Sequence, residues 1–205
     1  MFAITGFYHR YFSHRTYRMG RVMQTVAAIL GATAVQKGCL WWAAHHRDHH
    51  KNSDTDADPH NSHEGFWHSH VVWFLYREGE EIDYEPVHDL ARFPELRWID
   101  RYWQVFPAAM ALALFAVGGY HWLVWGFFVS TVLLQNGTGC INSLMHYWGR
   151  QRFSTGDESR NHWLPTLVTL GEGWHNNHHR YKASTRNGFY WWELDPTYHG
   201  LRALS

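Results

Sequence analysis

One long stretch of the chain carries no charged side chain. Residues 102–149 contain no Asp, Glu, Lys or Arg. A helix needs roughly 20 apolar residues to cross a bilayer, so this stretch is long enough for two crossings. Gly118 and Gly119 lie near its middle and predict a turn. The pattern therefore predicts a transmembrane hairpin over about residues 102–149.

Shorter apolar and polar segments alternate in the rest of the chain. Residues 1–8 are apolar and resemble the last turns of a helix. Residues 22–36 are uncharged but short for a span, which favours a helix lying at the membrane interface. Residues 51–64 are predicted to form a loop, and residues 77–101 an aqueous segment with short helices. We expect an all-α integral membrane protein whose hairpin carries a histidine-rich helical cap.

Composition narrows the chemistry. Lys plus Arg and Asp plus Glu are equal at 18 each, so phosphate contacts to a nucleic acid are not expected. Cys39 and Cys140 are too few for a disulfide framework, a thiolate zinc site or an iron–sulfur cluster. The chain has 18 histidines, so metal chemistry here must rest on imidazole.

The histidines recur at spacings that suit metal binding. His46-Arg-Asp-His-His50 and His175-Asn-Asn-His-His179 each place three imidazoles on one helix face. His9 and His14 are five residues apart, which is about 140° around an α-helix. That pair is expected to serve different metals or to straddle a helix end. With His146, one helical turn after Asn142, the candidate ligands are His9, His14, His46, His49, His50, His146, His175, His178 and His179.

Nine imidazoles are too many for one metal and about right for two, but imidazole alone leaves zinc, copper, iron and nickel open. Zinc hydrolysis is disfavoured because the sequence lacks His-Glu-x-x-His. A carboxylate-bridged di-iron bundle needs two Glu-x-x-His helices. Glu85-x-x-His88 and Glu172-x-x-His175 match formally, but Pro86 follows Glu85 and the hairpin separates the two. We reject that arrangement.

Topology follows from the requirement that all clusters serve one site. A hairpin that crosses twice returns the chain to its starting side, which puts His146 and His175 on the side of the earlier clusters. The turn carries no Lys or Arg, whereas Arg101 and Arg150 flank the hairpin. Positive flanks predict that the clusters face the cytoplasm.

These motifs resemble the three histidine boxes of the membrane fatty acid desaturase family, and most closely the delta-9 acyl-CoA desaturase branch with its bacterial members. The matching segments are His9-Arg-Tyr-Phe-Ser-His14, the two boxes already quoted, Thr55-Asp-Ala-Asp-Pro-His-Asn61 and Asn142-Ser-Leu-Met-His146. The resemblance covers essentially residues 1–205 as a single desaturase domain.

The resemblance implies two iron ions held by the nine histidines, with Asn142 as a further ligand through water. No catalytic residue beyond these ligands is implied. It also implies four spans, so that one span and most of a second would precede Met1, and a bacterial plasma membrane as the location. The expected reaction is oxygen-dependent desaturation of a long-chain acyl group at the delta-9 position. Acyl-CoA is favoured, but Lys37 to His45 are nearly devoid of charge, which leaves acyl-lipid and acyl-carrier substrates open.

Further residues are expected around the metals. The acids that would orient ligating histidines through their second N–H group are Glu172, Asp54, Asp56 and Asp58. The tryptophans that could line an acyl tunnel are Trp41, Trp42, Trp67 and Trp148. The remaining histidines, including His45 and His60, are expected to be structural or to lie at the surface.

Two alternatives stay open: a fatty acyl hydroxylase using the same site, and a non-catalytic fragment that binds metal. Removing hydrogen from an unactivated CH₂ group requires oxygen activated at a redox metal. The sequence has no Gly-x-Gly-x-x-Gly, Cys cluster or His-Pro-Gly-Gly haem motif, so electrons are expected from an external ferredoxin- or cytochrome b5-type donor. Its expected docking region lies near Arg180, Lys182 and Arg186.

Overall fold

A computed structural model describes residues 1–76 and 82–205, and these residues form helices and loops without a β-strand. The all-α prediction is confirmed. The helices are α1 (Ala3–Ser13), α2 (Arg21–Ala32), α3 (Cys39–Asn52), α4 (His68–Val72 continuing into Trp73–Tyr76), α5 (Pro94–Arg101), α6 (Val105–Trp122, continuing through Leu123–Val129), α7 (Ser130–Asn142), α8 (Leu144–Tyr147), α9 (Trp163–Val168), α10 (His175–Arg180) and α11 (Pro196–Ala203). Short helical turns occupy Ser62–Glu64, Glu85–Val87 and His88–Ala91. Residues 77–81 of the predicted aqueous segment lie outside the described residues.

The apolar stretch reverses direction at Gly119, as the glycine pair predicted. Gly119 has φ 61° and ψ −156°, which interrupts α6 and is a conformation that glycine adopts readily. A Cβ on Gly126 would lie only 3.4 Å from Leu114 Cδ1, whereas residues 12 apart on a straight helix are about 18 Å apart. The two arms therefore pack against each other as a hairpin.

The outer surface of the hairpin is apolar and uncovered. Val105–Tyr147 is long and apolar enough to cross a membrane by length and composition, and its most apolar window has no buried residue. Side chains such as Leu112, Val117 and Leu133 are about 70% exposed (69%, 74% and 67%). An exposed apolar surface that extends along a whole hairpin is typical of a surface that contacts lipid or another protein.

Helix α2 has two unlike faces. Ala27, Ala28 and Ala32 are fully buried, while Val22 and Met23 are exposed on the other face. Its 12 residues span about 18 Å, short of the roughly 30 Å hydrocarbon core. This length is consistent with the predicted interfacial helix.

Helix α1 lies at the centre of the histidine-bearing part and packs against α2, α3 and α11. Tyr8 and Phe12 are fully buried there. The Tyr8 ring fills the space beside Gly31, where an added Cβ would lie 1.9 Å from the ring. Gly31 is thus the close-approach point that lets α2 lie against α1, which fixes the helix that carries His9.

Candidate metal centre

His9 lies on a π-helix, and His14 is the C-cap of that helix. Helix α1 is π-helical from Ala3 to Ser13, and His14 N donates to His9 O at 3.2 Å. A π-helix closes i→i+5 hydrogen bonds, so a residue five positions later stands above the first. The 140° separation expected for an α-helix does not occur, and the two imidazole rings lie 4.9 Å apart between centroids. Both rings therefore reach the same site.

Helices α3 and α10 each divide their three histidines between two sites. On α3, His46 and His50 are one turn apart and face one site, while His49 points to the other. On α10 the division is reversed, because His178 serves the first site and His175 and His179 the second. The two sites are consequently adjacent.

All nine predicted histidines fall into two clusters, in each of which the ligand atoms lie within 4.8 Å of one another. The first cluster is His9, His14, His46, His50 and His178. The second cluster is His49, His146, His175 and His179.

The Nε2 atoms face one another at the distances that a shared metal requires. These contacts are His9–His178 at 3.0 Å, His14–His46 at 2.8 Å, His46–His50 at 3.0 Å, His50–His178 at 2.9 Å and His146–His175 at 3.1 Å. Two nitrogens about 2.1 Å from one metal are about 3.0 Å apart at a right angle, and about 3.4 Å apart at a tetrahedral angle. The spacing and the five imidazoles of the first cluster fit a five- or six-coordinate ion better than tetrahedral zinc.

The protonation state also suits metal binding. His146 uses Nδ1 to donate to Asp54 at 2.9 Å, so its Nε2 carries a lone pair toward His175. The Nε2 atoms of His49 and His179 are buried and have no hydrogen-bond partner among the described residues. Burial lowers the pKa of His175 well below its ordinary value and that of His179 to about 4. Neutral imidazoles with unpartnered, convergent Nε2 atoms are a donor set for metal ions.

Four carboxylates each accept a hydrogen bond from the Nδ1 atom of one clustered histidine. The pairs, from histidine Nδ1 to carboxylate oxygen, are His9–Glu172 at 2.8 Å, His49–Asp58 at 2.9 Å, His146–Asp54 at 2.9 Å and His179–Asp157 at 2.8 Å. Such contacts fix the tautomer and the orientation of the ring. Three of these acids were named from the sequence.

The fourth acid, Asp157, was missed, and Asp56 is placed differently from the expectation. Asp157 lies in the turn after Gly156, 22 residues before its histidine, and no local spacing links the two. Asp56 is exposed and makes no contact with a histidine within the described residues. Asp54 and Asp58 point inward instead. Glu158 N, from a segment distant in sequence, donates to Asp54, and His60 N, from the same loop, donates to Asp58.

Glu172 anchors a buried ionic network. It accepts from Arg10 Nη2 at 2.8 Å, and Arg10 also contacts Asp195 at 2.9 Å. Burial by itself would raise the pKa of Glu172, but the charge of Arg10 and the hydrogen bonds from His9 and Arg10 hold the pKa at about 2. Glu172 is therefore ionised at neutral pH and can orient His9.

An aromatic cavity of about 300 Å³ opens beside the first cluster. Trp41, Trp42 and Phe74 line it together with His46. Trp67 and Trp148 do not line it, because they are 68% and 64% exposed. Of the four tryptophans expected to line a tunnel, Trp41 and Trp42 are the two that line this cavity. His45, which stacks on Trp41 at 3.9 Å, lines the cavity but belongs to neither cluster.

Asn142 lines two cavities that border the clusters. It lines the large cavity with His46, and a smaller one of about 50 Å³ with His9 and His175. His60, expected to be structural, is buried between Asp58 and the large cavity and forms a third group with His49 and Asp58.

A polar link that the sequence did not reveal crosses the wall of the cavity. Trp42 Nε1 donates to Gln36 Oε1 at 3.1 Å, and Gln36 Nε2 donates to Thr138 Oγ1 at 2.9 Å. The Trp42 ring stacks on His46 with centroids 5.0 Å apart. The link ties α3 to α7 and fixes the aromatic wall next to the first cluster.

These features define a class of protein: an all-helical chain with an exposed apolar hairpin and two adjacent histidine clusters, each able to hold a metal ion, next to an apolar cavity. The fatty acid desaturase family model matches residues 1–205. The chain belongs to the fatty acid desaturase family.

Several curated relatives are similar over nearly the whole chain. An sn-2 palmitoyl-lipid 9-desaturase of Nostoc sp. (strain 36) is 39% identical over 96% of this chain. A chloroplastic palmitoyl-monogalactosyldiacylglycerol delta-7 desaturase of Arabidopsis thaliana is 38% identical, and an acyl-CoA 5-desaturase of Anemone leveillei is 37% identical, each over 100% of this chain. The chain spans 71%, 56% and 64% of the lengths of these three relatives.

Proposed function

We propose that this protein desaturates a long-chain fatty acyl group with O₂ at a di-iron site formed by the two histidine clusters. The observation that carries the proposal is the pair of adjacent histidine clusters, of which the first reaches an apolar cavity through His46, beside Trp41 and Trp42. A redox metal is needed because no side-chain acid, base or nucleophile can remove hydrogen from an unactivated CH₂ group. The nine histidines would hold the two iron ions, with Asn142 contributing through water.

The balanced reaction defines what the site must do. One –CH₂–CH₂– unit, O₂, two electrons and two protons give one –CH=CH– unit and two water molecules. Bound iron would supply the oxygen-activating redox chemistry. The chain's own residues bind the acyl group in the cavity, hold the imidazoles through Glu172, Asp54, Asp58 and Asp157, and exclude water.

The head group and the double-bond position belong to the proposal. The relatives' names include acyl-lipid and acyl-CoA desaturases, so they give the expected acyl-CoA substrate no preference over an acyl lipid. We propose the delta-9 position, which several relatives carry in their names. We further propose that the hairpin spans a bacterial plasma membrane, that the clusters face the cytoplasm, and that a ferredoxin- or cytochrome b5-type protein delivers the electrons.

The test is the lipid profile of a bacterial host that expresses the protein, with double bonds located by mass spectrometry. We expect new monounsaturated chains with the double bond at the delta-9 position, and none in cells expressing His178→Ala, because this substitution removes a ligand of the first cluster. New hydroxy acids in place of alkenes would show a hydroxylase and overturn the proposal. Membrane content of the variant, measured by immunoblot, controls for expression.

A further inference from the structure

The electron balance of the proposed reaction requires an entry point for electrons. Reducing O₂ to two waters takes four electrons, and the CH₂–CH₂ unit supplies two, so a carrier must deliver the other two. Most of the clustered histidines are buried, but His14, His46 and His50 of the first cluster are half-buried. The first cluster thus comes nearest to the surface.

Cations gather at this edge. Lys51 directly follows His50 on α3. Lys182 Nζ donates to the backbone oxygen of His50 at 2.9 Å, and Arg180 is two residues before Lys182 at the end of α10. We call Lys51, Arg180 and Lys182 the basic edge; all three are exposed.

The carboxylates nearby leave the basic edge positive. Asp157 stays ionised when His179 donates to it at 2.8 Å, and this one negative charge does not balance the three cations. Glu158 is paired with Arg160 at 2.8 Å. Asp48 is half-buried one turn before Lys51 on α3. Among residues 1–76 and 82–205, neither Lys51 nor Arg180 forms an ion pair, so their charges face solvent.

An exposed aromatic ring lies within the basic edge. Tyr181 is 48% exposed, and its ring packs against Phe153 and Phe189 with centroids 5.4 and 5.5 Å apart. Its backbone N–H donates to His178 O at 3.1 Å, which gives a short route from the surface to a histidine of the first cluster. An aromatic anchor among cations is a composition enriched in protein interfaces.

Arg186, which the sequence placed in the same region, points elsewhere. Its guanidinium donates to Tyr190 O and lies over the Tyr198 ring. It is therefore not part of the basic edge.

We propose that the basic edge and Tyr181 form the docking surface for an acidic one-electron carrier protein, which delivers electrons to the first cluster. The inference rests on the proposed function. Opposite charges attract the carrier and orient it, and the Lys182–His50 and Tyr181–His178 hydrogen bonds place it next to ligating residues. Docking of this kind weakens as salt screens the charges.

The test measures binding of a plant-type [2Fe–2S] ferredoxin, an acidic carrier, to the full chain in detergent at rising NaCl concentration. We expect K51E/R180E to weaken binding at least tenfold at low salt and to flatten the salt dependence. The matched control R202E reverses an exposed cation on α11 and should bind as the wild type does. K51Q/R180Q, which only neutralises the charges, should show a smaller loss in the same direction.

A second readout separates this inference from the proposed function. Turnover driven by a small uncharged quinol should be equal in wild type and K51E/R180E, because both substituted side chains lie outside the two clusters. Equal ferredoxin binding by wild type and K51E/R180E would overturn the docking surface, whether or not quinol-driven desaturation occurs. Weakened binding in the variant supports the surface, and absence of quinol-driven desaturation by the wild type would then count against the proposed function alone.

Discussion

At the scale of single residues, each ligating histidine depends on what its second nitrogen contacts. Four of the nine rings donate from Nδ1 to a buried or half-buried carboxylate. Although burial by itself would raise the pKa of Asp54, the hydrogen bonds from His146, Ser62 and the Glu158 N–H group lower that pKa. These acids therefore stay ionised at neutral pH and keep the ring nitrogen opposite them free for metal.

Asp157→Asn should weaken metal binding in the second cluster. The amide loses the charge that orients His179 Nδ1–H, and loss of such an outer partner typically costs about 10–100-fold in metal affinity. The measurement is the iron retained by the purified protein in competition with a chelator.

The exposed Asp56 gives the matched control, since Asp56→Asn removes one carboxylate from a neighbouring loop without touching a histidine. It should retain iron as the wild type does. Equal iron loss in the two variants, or none in Asp157→Asn, would contradict the assigned role of Asp157.

The sequence was sufficient to predict which nine histidines the fold brings together, because the same spacing recurs in two segments of the chain. It also predicted Glu172, Asp54 and Asp58 as orienting acids. Asp157 could not be found in this way, because its contact with His179 depends on how residues 149–162 fold over α10. Asp56 lies in the same acidic loop as Asp54 and Asp58 but faces solvent. Only the path of the loop decides which of these acids face the histidines.

At the scale of elements, the helix type decides which histidines meet. Sequence periodicity assumed an α-helix for His9 and His14 and left them 140° apart or at a helix end. The π-helical hydrogen bonds of α1 bring the two imidazoles together, and His14 does close that helix as its C-cap. Residue type does not distinguish π from α geometry, so this alignment was beyond reach of the sequence.

The start of α3 depends on a buried acid from another helix. Asp100 Oδ1 on α5 accepts from Leu40 N at 2.7 Å and from Trp41 N at 3.0 Å, which satisfies two of the free N–H groups at the start of α3. Gly38 permits this approach, since a Cβ there would lie 2.1 Å from Asp100 Oδ1. The helix that carries His46, His49 and His50 is thereby held in place by a residue of another helix.

Asp100 should make stability depend on pH. Burial raises its pKa to about 6 from the ordinary value of 3.8, against the hydrogen bonds from Trp41 and Leu40 N–H groups. Between these two values the folded state keeps a proton that the unfolded state has released, so stability falls as pH rises through the window. Asp100→Asn removes this titration and keeps the acceptor oxygen.

Thermal melting in detergent at pH 5 and pH 7.5 tests the prediction. Asp100→Asn should gain melting temperature relative to the wild type at pH 7.5 and gain less at pH 5. Asp100→Ala serves as the comparison that loses the acceptor, at a cost of about 1 kcal/mol for a helix N-terminus. If the difference in melting temperature between the wild type and Asp100→Asn does not change with pH, the role assigned to the Asp100 carboxyl is refuted.

At the scale of the whole molecule, the hairpin returns the chain to the side from which it left. The reversal at Gly119 was predicted by the uncharged run and its glycine pair, and the all-α architecture by that run together with the helical spacing of the histidines. The path of the chain after the hairpin was not predicted, because it depends on contacts such as the pairing of Arg10, at the start of the chain, with Asp195 near its end. Contacts of that sequence separation leave no local signal.

Membrane topology should be visible from opposite sides of the bilayer. His121 near the hairpin tip and Asp56 beside the clusters are both exposed. In a Cys140→Ser background, where the other cysteine, Cys39, is buried, a membrane-impermeant thiol reagent should label His121→Cys only from outside the cell. Asp56→Cys should react only in inside-out vesicles. Labelling of both positions from one side would exclude a hairpin that spans the membrane.

The most direct test of the account is the number of iron ions bound per chain. After anaerobic reconstitution with Fe²⁺, metal analysis should give two irons per wild-type chain, and about one for His14→Ala or for His175→Ala, because these histidines belong to different clusters. A wild-type value of one or less, or two irons in either variant, would contradict a two-metal centre built from the two histidine clusters.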